Sequence, residues 1–161
     1  MKQKNLLTLF LLLINLISYA QVLSVMDLYS VKTSSDIDVI HNFLVNNKNF
    51  KLFKSYNEKD NKRGWDNLDV YIFTNKSNII KIDIASKLYE GEIKTFTILE
   101  YKIYTKDEYD NFVKSLKKFS FEMYKDSQSK ENKNIAIYSQ INSMKMIAIK
   151  DMGDFYQVEL L

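Results

Sequence analysis

Two stretches of this chain, residues 70–84 and 135–149, carry one pattern twice, and that repetition limits the possible folds more than any other feature. Val70-Tyr71-Ile72-Phe73-Thr74 precedes Ile135-Ala136-Ile137-Tyr138-Ser139 by 65 positions, and Ile79 to Ile84 precedes Met144 to Ile149 by the same 65. Two strands and the turn between them are therefore spelled out twice. Each copy also follows a segment of helical period. The first runs from about Asp36 to Lys48, apolar at Ile37, Ile40, Phe43 and Leu44, with Ser34 and Ser35 placed to cap its free amides. The second runs from Lys106 to Lys118, with Thr105 as N-cap, Glu108 at the capping-box position, and Tyr109, Phe112, Val113 and Leu116 on one stripe. The helices align at 69 rather than 65 positions, Phe43 with Phe112. The difference falls in Asn57 to Asn67, which is longer than Asp126 to Lys133, and a surface connection absorbs an insertion at little cost.

The other apolar runs complete two similar units. Phe50 to Tyr56, Leu68 to Thr74 and Ile79 to Ala85 read as strands after the first helix, with Ile80, Ile82 and Ile84 alternating against Lys81, Asp83 and Ala85. Phe119 to Tyr124, Asn134 to Ile141 and Met144 to Lys150 follow the second, and Phe155 to Leu161 closes the chain. Candidate strands precede each helix, at Val22 to Val31 and Ile93 to Tyr104, so the expected unit is β-α-β-β-β. Its pseudo-repeats span about 22–88 and 93–161. The expected fold is α+β: a two-layer sandwich with one twisted, mainly antiparallel sheet and two helices on one face, built by tandem duplication. In layout it resembles duplicated helix-on-sheet proteins such as the TATA-binding fold and the β-lactamase inhibitory protein.

The first twenty residues read as a removable export signal. Lys2 and Lys4 form a basic start, Leu6 to Ile17 is apolar except for Thr8 and Asn15, and Ser18-Tyr19-Ala20 supplies small residues at −3 and −1. The apolar run is shorter than the roughly 20 residues needed to span a bilayer. What remains, Gln21 to Leu161, is 141 residues and expected to form a single domain, long enough to bury a core unaided. A signal ending in Ala-Gln, on a Lys-, Asn- and Ile-rich chain without proline, resembles the small exported proteins of AT-rich Gram-negative Bacteroidota. The expected location is periplasmic or secreted. With no cysteine anywhere, the chain has neither a lipid-anchoring thiol nor a disulfide. Loss of Lys2 and Lys4 reduces the formal charge from +3 to +1, with both signs interspersed, which argues against nucleic acid as a partner.

Signs of chemistry are sparse. Without cysteine there is no thiol nucleophile, and glycine only at 64, 91 and 153 leaves no phosphate-cradling loop. The single histidine, His41, sits at the border of a helical stripe, and one histidine without cysteine is too little for zinc. Glu58, Asp60, Asp66 and Asp69 crowd one loop, but Lys59, Lys62 and Arg63 offset them and the spacing fits no calcium loop. No metal and no cofactor is expected. Asp83, Glu90, Glu92 and Glu100 could in principle form a hydrolytic carboxylate pair, so a carboxylate-dependent hydrolase of the cell envelope is the alternative function. The leading expectation is a non-catalytic binding module for an unknown protein, peptide or glycan.

Aromatic content points to where it would bind, since Val70-Tyr71-Ile72-Phe73 places apolar groups on both faces of one strand. The lone tryptophan, Trp65, lies between Gly64 and Asp66 in the connection that is longer in the first half. Loops on rigid scaffolds carry binding disproportionately, and Trp and Arg dominate interface hot spots. The candidate binding residues are Arg63, Trp65, Asp66, Tyr71 and Phe73, with Trp65 alternatively folding back as a lid on the sheet. The protein recovered from the envelope is predicted to begin at Gln21; an intact mass that retains Met1 would contradict this.

Overall fold

The structure, a computed structural model, describes residues 22–58, 64–76, 78–124 and 135–161; the expected signal, 1–20, lies outside them. Helices α1 (Val25–Thr33) and α2 (Ile37–Asn42) come first, the second followed directly by a π-helical stretch at Phe43–Asn47. Strands β1 (Lys51–Glu58), β2 (Asn67–Asn75), β3 (Asn78–Tyr89) and β4 (Glu92–Ile103) precede helix α3 (Lys106–Lys118). Strands β5 (Phe121–Met123), β6 (Ile135–Gln140), β7 (Met146–Asp151) and β8 (Tyr156–Leu160) complete the described chain. The eight strands form one antiparallel sheet in the order β1-β2-β3-β4-β8-β7-β6-β5. Two four-stranded meanders thus meet where β4 pairs with β8, Tyr101 opposite Val158. The fold is α+β, with three helices rather than two.

The extra helix replaces an expected strand. Val22 to Val31 was expected to be extended, but Ser24 and Asp27 form a capping box: the Asp27 amide donates to Ser24 Oγ at 3.3 Å and the Ser24 amide to Asp27 Oδ2 at 2.8 Å. Lys48 Nζ pairs with the same Asp27 oxygen at 2.9 Å, tying α1 to the end of the π-helical stretch. The first half therefore does not begin with a strand. The cap of α2 also differs from expectation, because Asp36 Oδ1 accepts from the amides of Asp38 (2.9 Å) and Val39 (3.3 Å), while Ser34 ends α1 instead. Helix α3 starts as the sequence indicates, the Glu108 amide donating to Thr105 Oγ1 at 3.3 Å.

Alternation along the strands sorts side chains to two faces. On the inner face Phe73, Ile80, Ile82, Tyr101, Ile147 and Val158 join Leu28, Ile40, Leu44, Phe112 and Leu116 from the helices in one buried cluster. Each such side chain contributes about 1.5–3 kcal/mol relative to exposure. Polar ties fix α1 to the sheet: Tyr29 Oη donates to the Met146 carbonyl (3.0 Å), Lys32 Nζ to that of Leu160 (2.8 Å), and Thr97 Oγ1 to that of Ser34 (2.6 Å). The outer face mixes Leu68, Val70 and Ile72 with ion pairs Lys81–Asp83 (2.8 Å), Lys102–Glu100 (3.0 Å) and Lys150–Glu159 (2.7 Å). No helix among the described residues is long and apolar enough to cross a membrane.

Burial holds the Tyr101 phenol far above its ordinary 10.0, against a smaller opposing effect from the Leu23 backbone, and burial likewise raises Tyr29, Tyr109 and Tyr138. A phenol whose pKa is raised by folding stabilises the native state fully below pH 10.0 and loses that contribution as pH rises beyond it. The melting temperature is therefore predicted to fall above about pH 10, less steeply in Tyr101→Phe than in the wild type. Equal slopes for the two proteins would contradict this.

Candidate functional site

Strands β3 and β4 are each 12 residues long and joined by the two-residue loop Glu90-Gly91, with φ of 52° and 84° and Tyr89 opposite Glu92. Positive φ at both central residues is the type I′ arrangement, whose twist matches that of the flanking strands. Because β2 begins at Asn67, opposite Ser86, the tip of this hairpin projects beyond it. Asp66 extends the pairing by one more step: its amide donates to the Ser86 carbonyl at 3.0 Å, and its Oδ2 accepts from the Leu88 amide at 2.6 Å. A carboxylate here does the work of a missing strand carbonyl.

Gly64, at φ 69°, turns the chain so that Trp65 lies back on the outer face. The indole is half-buried against the cluster of Leu68, Val70 and Ala85, with its ring centroid 5.6 Å from that of Phe96. Register places Leu68, Ala85 and Phe96 in one row across β2, β3 and β4. The next row out pairs Lys87 directly with Lys94, and the last pairs Tyr89 with Glu92. Trp65, Lys87, Tyr89, Lys94 and Phe96 together line a cavity of about 360 Å³. Lys94 Nζ stands 4.6 Å from the Tyr89 ring centre, and Trp65 Nε1 is buried without a hydrogen-bond acceptor.

Of the expected binding residues, Trp65 forms a wall of this cavity and Asp66 holds the hairpin beside it. Arg63 lies outside the described residues. Tyr71 and Phe73 are on the other side of the sheet. Phe73 is completely buried in the helix-facing core, its ring 5.9 Å from that of His41, because its register partner Ile80 faces the helices. Tyr71 packs against the same cluster, its phenol raised first by burial and then by the charges of Asp69 and Asp38. The outer side of β2 thus carries Leu68 and Val70, both buried, and the partly buried Ile72. Lys87, Tyr89, Lys94 and Phe96 escaped the sequence reading, because their convergence depends on joining β3 and β4 through Glu90-Gly91. The signal was a two-residue turn sequence between alternating runs.

The carboxylates considered for hydrolysis are dispersed or engaged. Asp83 and Glu100 are held by Lys81 and Lys102, while Glu90 and Glu92 sit exposed at the hairpin end. A second outer-face cavity of about 350 Å³, lined by Phe53, Ile72, Thr74, Ile79, Lys81, Glu100 and Lys102, contains one carboxylate. General acid–base hydrolysis of a glycosidic bond needs two. Asp69, considered for calcium, accepts from the side-chain amides of Asn57 (2.7 Å) and Asn67 (3.0 Å). Among the described residues no cluster of three or more His, Cys, Asp or Glu is arranged to hold a metal ion.

No family model, curated protein or solved structure matches this chain, so the site is read from its own geometry. An aromatic-walled cavity with two ammonium groups is suited to binding. Trp65→Ala is predicted to destabilise the fold by about 2 kcal/mol, below the 3–5 kcal/mol of a fully buried aromatic because the indole is half-buried. Its fluorescence is predicted to be blue-shifted and partly protected from quenching. Red, freely quenched emission with no stability loss would place the indole in solvent.

Proposed function

We propose that the mature chain is an exported, non-catalytic binding module, periplasmic or secreted, that holds its ligand in the Trp65 cavity on the outer sheet face. The observation that carries this reading is the convergence of Trp65, Tyr89 and Phe96 with Lys87 and Lys94 around about 360 Å³. Binding sites of this kind are largely apolar walls with a few placed polar groups, and this volume falls within their usual range of roughly 300–1,000 Å³. The two cations lack ion-pair partners among the described residues, and Lys94 is engaged only with a ring.

The scaffold reading is a two-layer, helix-on-sheet unit duplicated in tandem, with the repeat redrawn as helix followed by four strands. Support comes from the mirrored order of β1–β4 and β5–β8 about the β4–β8 junction. It comes also from residues 65 apart with matching burial, Phe73 with Tyr138, Ile82 with Ile147 and Ile84 with Ile149. The connection between β1 and β2, which carries Trp65, is eight residues against eleven between β5 and β6, so the greater length of the first repeat lies in β1, eight residues against three in β5, and not in the connection as the sequence suggests.

Tyr89 is half exposed on the hairpin and remote from the core, so Tyr89→Ala should change stability by no more than about 0.5 kcal/mol. Immobilised exported protein is expected to retain one component from peptide, glycan and protein fractions of the envelope, and Tyr89→Ala to release it. Retention unaffected by both Tyr89→Ala and Trp65→Phe would move the site elsewhere. Multiple turnover of a glycoside that depends on Glu100 would make the protein an enzyme instead.

A further inference from the structure

Building on that binding site, we infer that its ligand is a sugar ring carrying an acidic group, of the uronic-acid type. The first ground is electrostatic. Lys87 and Lys94 are directly opposite on neighbouring strands and line one cavity, and like charges in that relation are destabilising. Lys87 has no ion pair among the described residues, and neither has Lys94. The acidic side chains nearest in sequence do not line the cavity: the Asp66 carboxylate is bound to the Leu88 amide, and Glu92 belongs to the row beyond, opposite Tyr89. An anion entering between the two ammonium groups would relieve their repulsion and form charge-assisted hydrogen bonds with both.

The second ground is shape. Three rings, Trp65, Tyr89 and Phe96, form the walls, and flat aromatic faces suit a rigid ring better than a flexible chain. An acidic peptide binding in extended form would need a free strand edge. The edge of β4 that β8 leaves unpaired, Glu92 to Leu99, runs along the side of the hairpin, whereas the cavity is lined by side chains on its outer face, so a peptide paired to that edge would not occupy the cavity. Single-stranded nucleic acid also combines stacking with lysine contacts, but it needs a basic track along its backbone. Elsewhere on the outer face Lys81, Lys102 and Lys150 are paired with carboxylates, and Lys54 stands over the Tyr56 ring.

Trp65 is the only tryptophan, so its emission reports this cavity directly. The purified exported protein is titrated with oligogalacturonate, with its fully methyl-esterified counterpart of the same length, and with monomeric galacturonate. The acidic oligomer is expected to change the emission saturably, with the ester at least about tenfold weaker, and added salt should narrow that gap. Monomer binding as tight as the oligomer would assign the site to free sugar acids, and much weaker monomer binding to a polysaccharide; either agrees with the inference. Lys87→Gln should reduce affinity for the acid about tenfold and leave the ester unchanged. Without ligand, the same variant should melt about 1–3 °C higher, because the opposed pair is gone.

Equal affinity for acid and ester would overturn the acidic-ligand inference while leaving the binding module intact. Binding of polyglutamate or oligothymidylate in preference to the sugar acid would overturn the sugar class. A Lys87→Gln melting temperature equal to or below that of the wild type would remove the electrostatic premise. If no probe perturbs Trp65, the inference fails, and the envelope-retention experiment with Tyr89→Ala decides separately whether the site binds anything.

Discussion

Strand β4 carries the architecture because it is paired along both edges, with β3 over its full length and with β8 over its last four residues. At that junction Tyr101 faces inward between Ile80 and Val158, completely buried, and its ring meets Phe112 of α3 at 6.2 Å. The two meanders share one buried cluster, to which this residue and Ile103 contribute at the junction. Helix α1 then packs over the junction, with Tyr29, Lys32 and Ser34 bonded to strands on both sides of it. Removing the β4–β8 pairing would leave two four-stranded sheets, each with an unsatisfied edge in the middle of the molecule.

The same strand sets the function proposed here. Strand β4 is long enough to run past the helices, so its first residues are covered on neither face: Ile93 is 74% exposed on one side and Phe96 46% exposed on the other. A projecting hairpin whose two strands pair with each other to the tip holds its shape without being part of the core, which is what a binding surface requires. Asp66 and Trp65 convert that projection into a concave site. The carboxylate locks the β3 backbone, and the indole supplies the wall that a flat sheet lacks.

Most of the strands were legible because period-2 alternation is a direct consequence of one face being buried, as in Ile80, Ile82 and Ile84. Helix α3 was legible to the residue, since Thr105 and Glu108 mark its start and its stripe is strongly one-sided. Helix α1 was not. Its Val25, Leu28, Tyr29 and Val31 are all buried, which erases the polar face that reveals an amphipathic helix, and its valines favour an extended reading. Only the Ser24 to Asp27 spacing betrayed it. For the site, composition singled out Trp65 but could not say which face Tyr71 and Phe73 would take. That choice is fixed by register, where a shift of one residue exchanges the faces of a strand. Lys87 and Lys94 become neighbours only through the Glu90-Gly91 turn, a tertiary fact written in two residues.

Trp65 is held on the outer sheet face against the β3–β4 hairpin. Proton nuclear Overhauser contacts from the single indole in the ligand-free protein test this placement. The indole is expected to show contacts to the Phe96 ring, 5.6 Å away between centroids, and to the side chains of Leu68 and Ala85. An indole with random-coil shifts and no contact to Phe96 would contradict it.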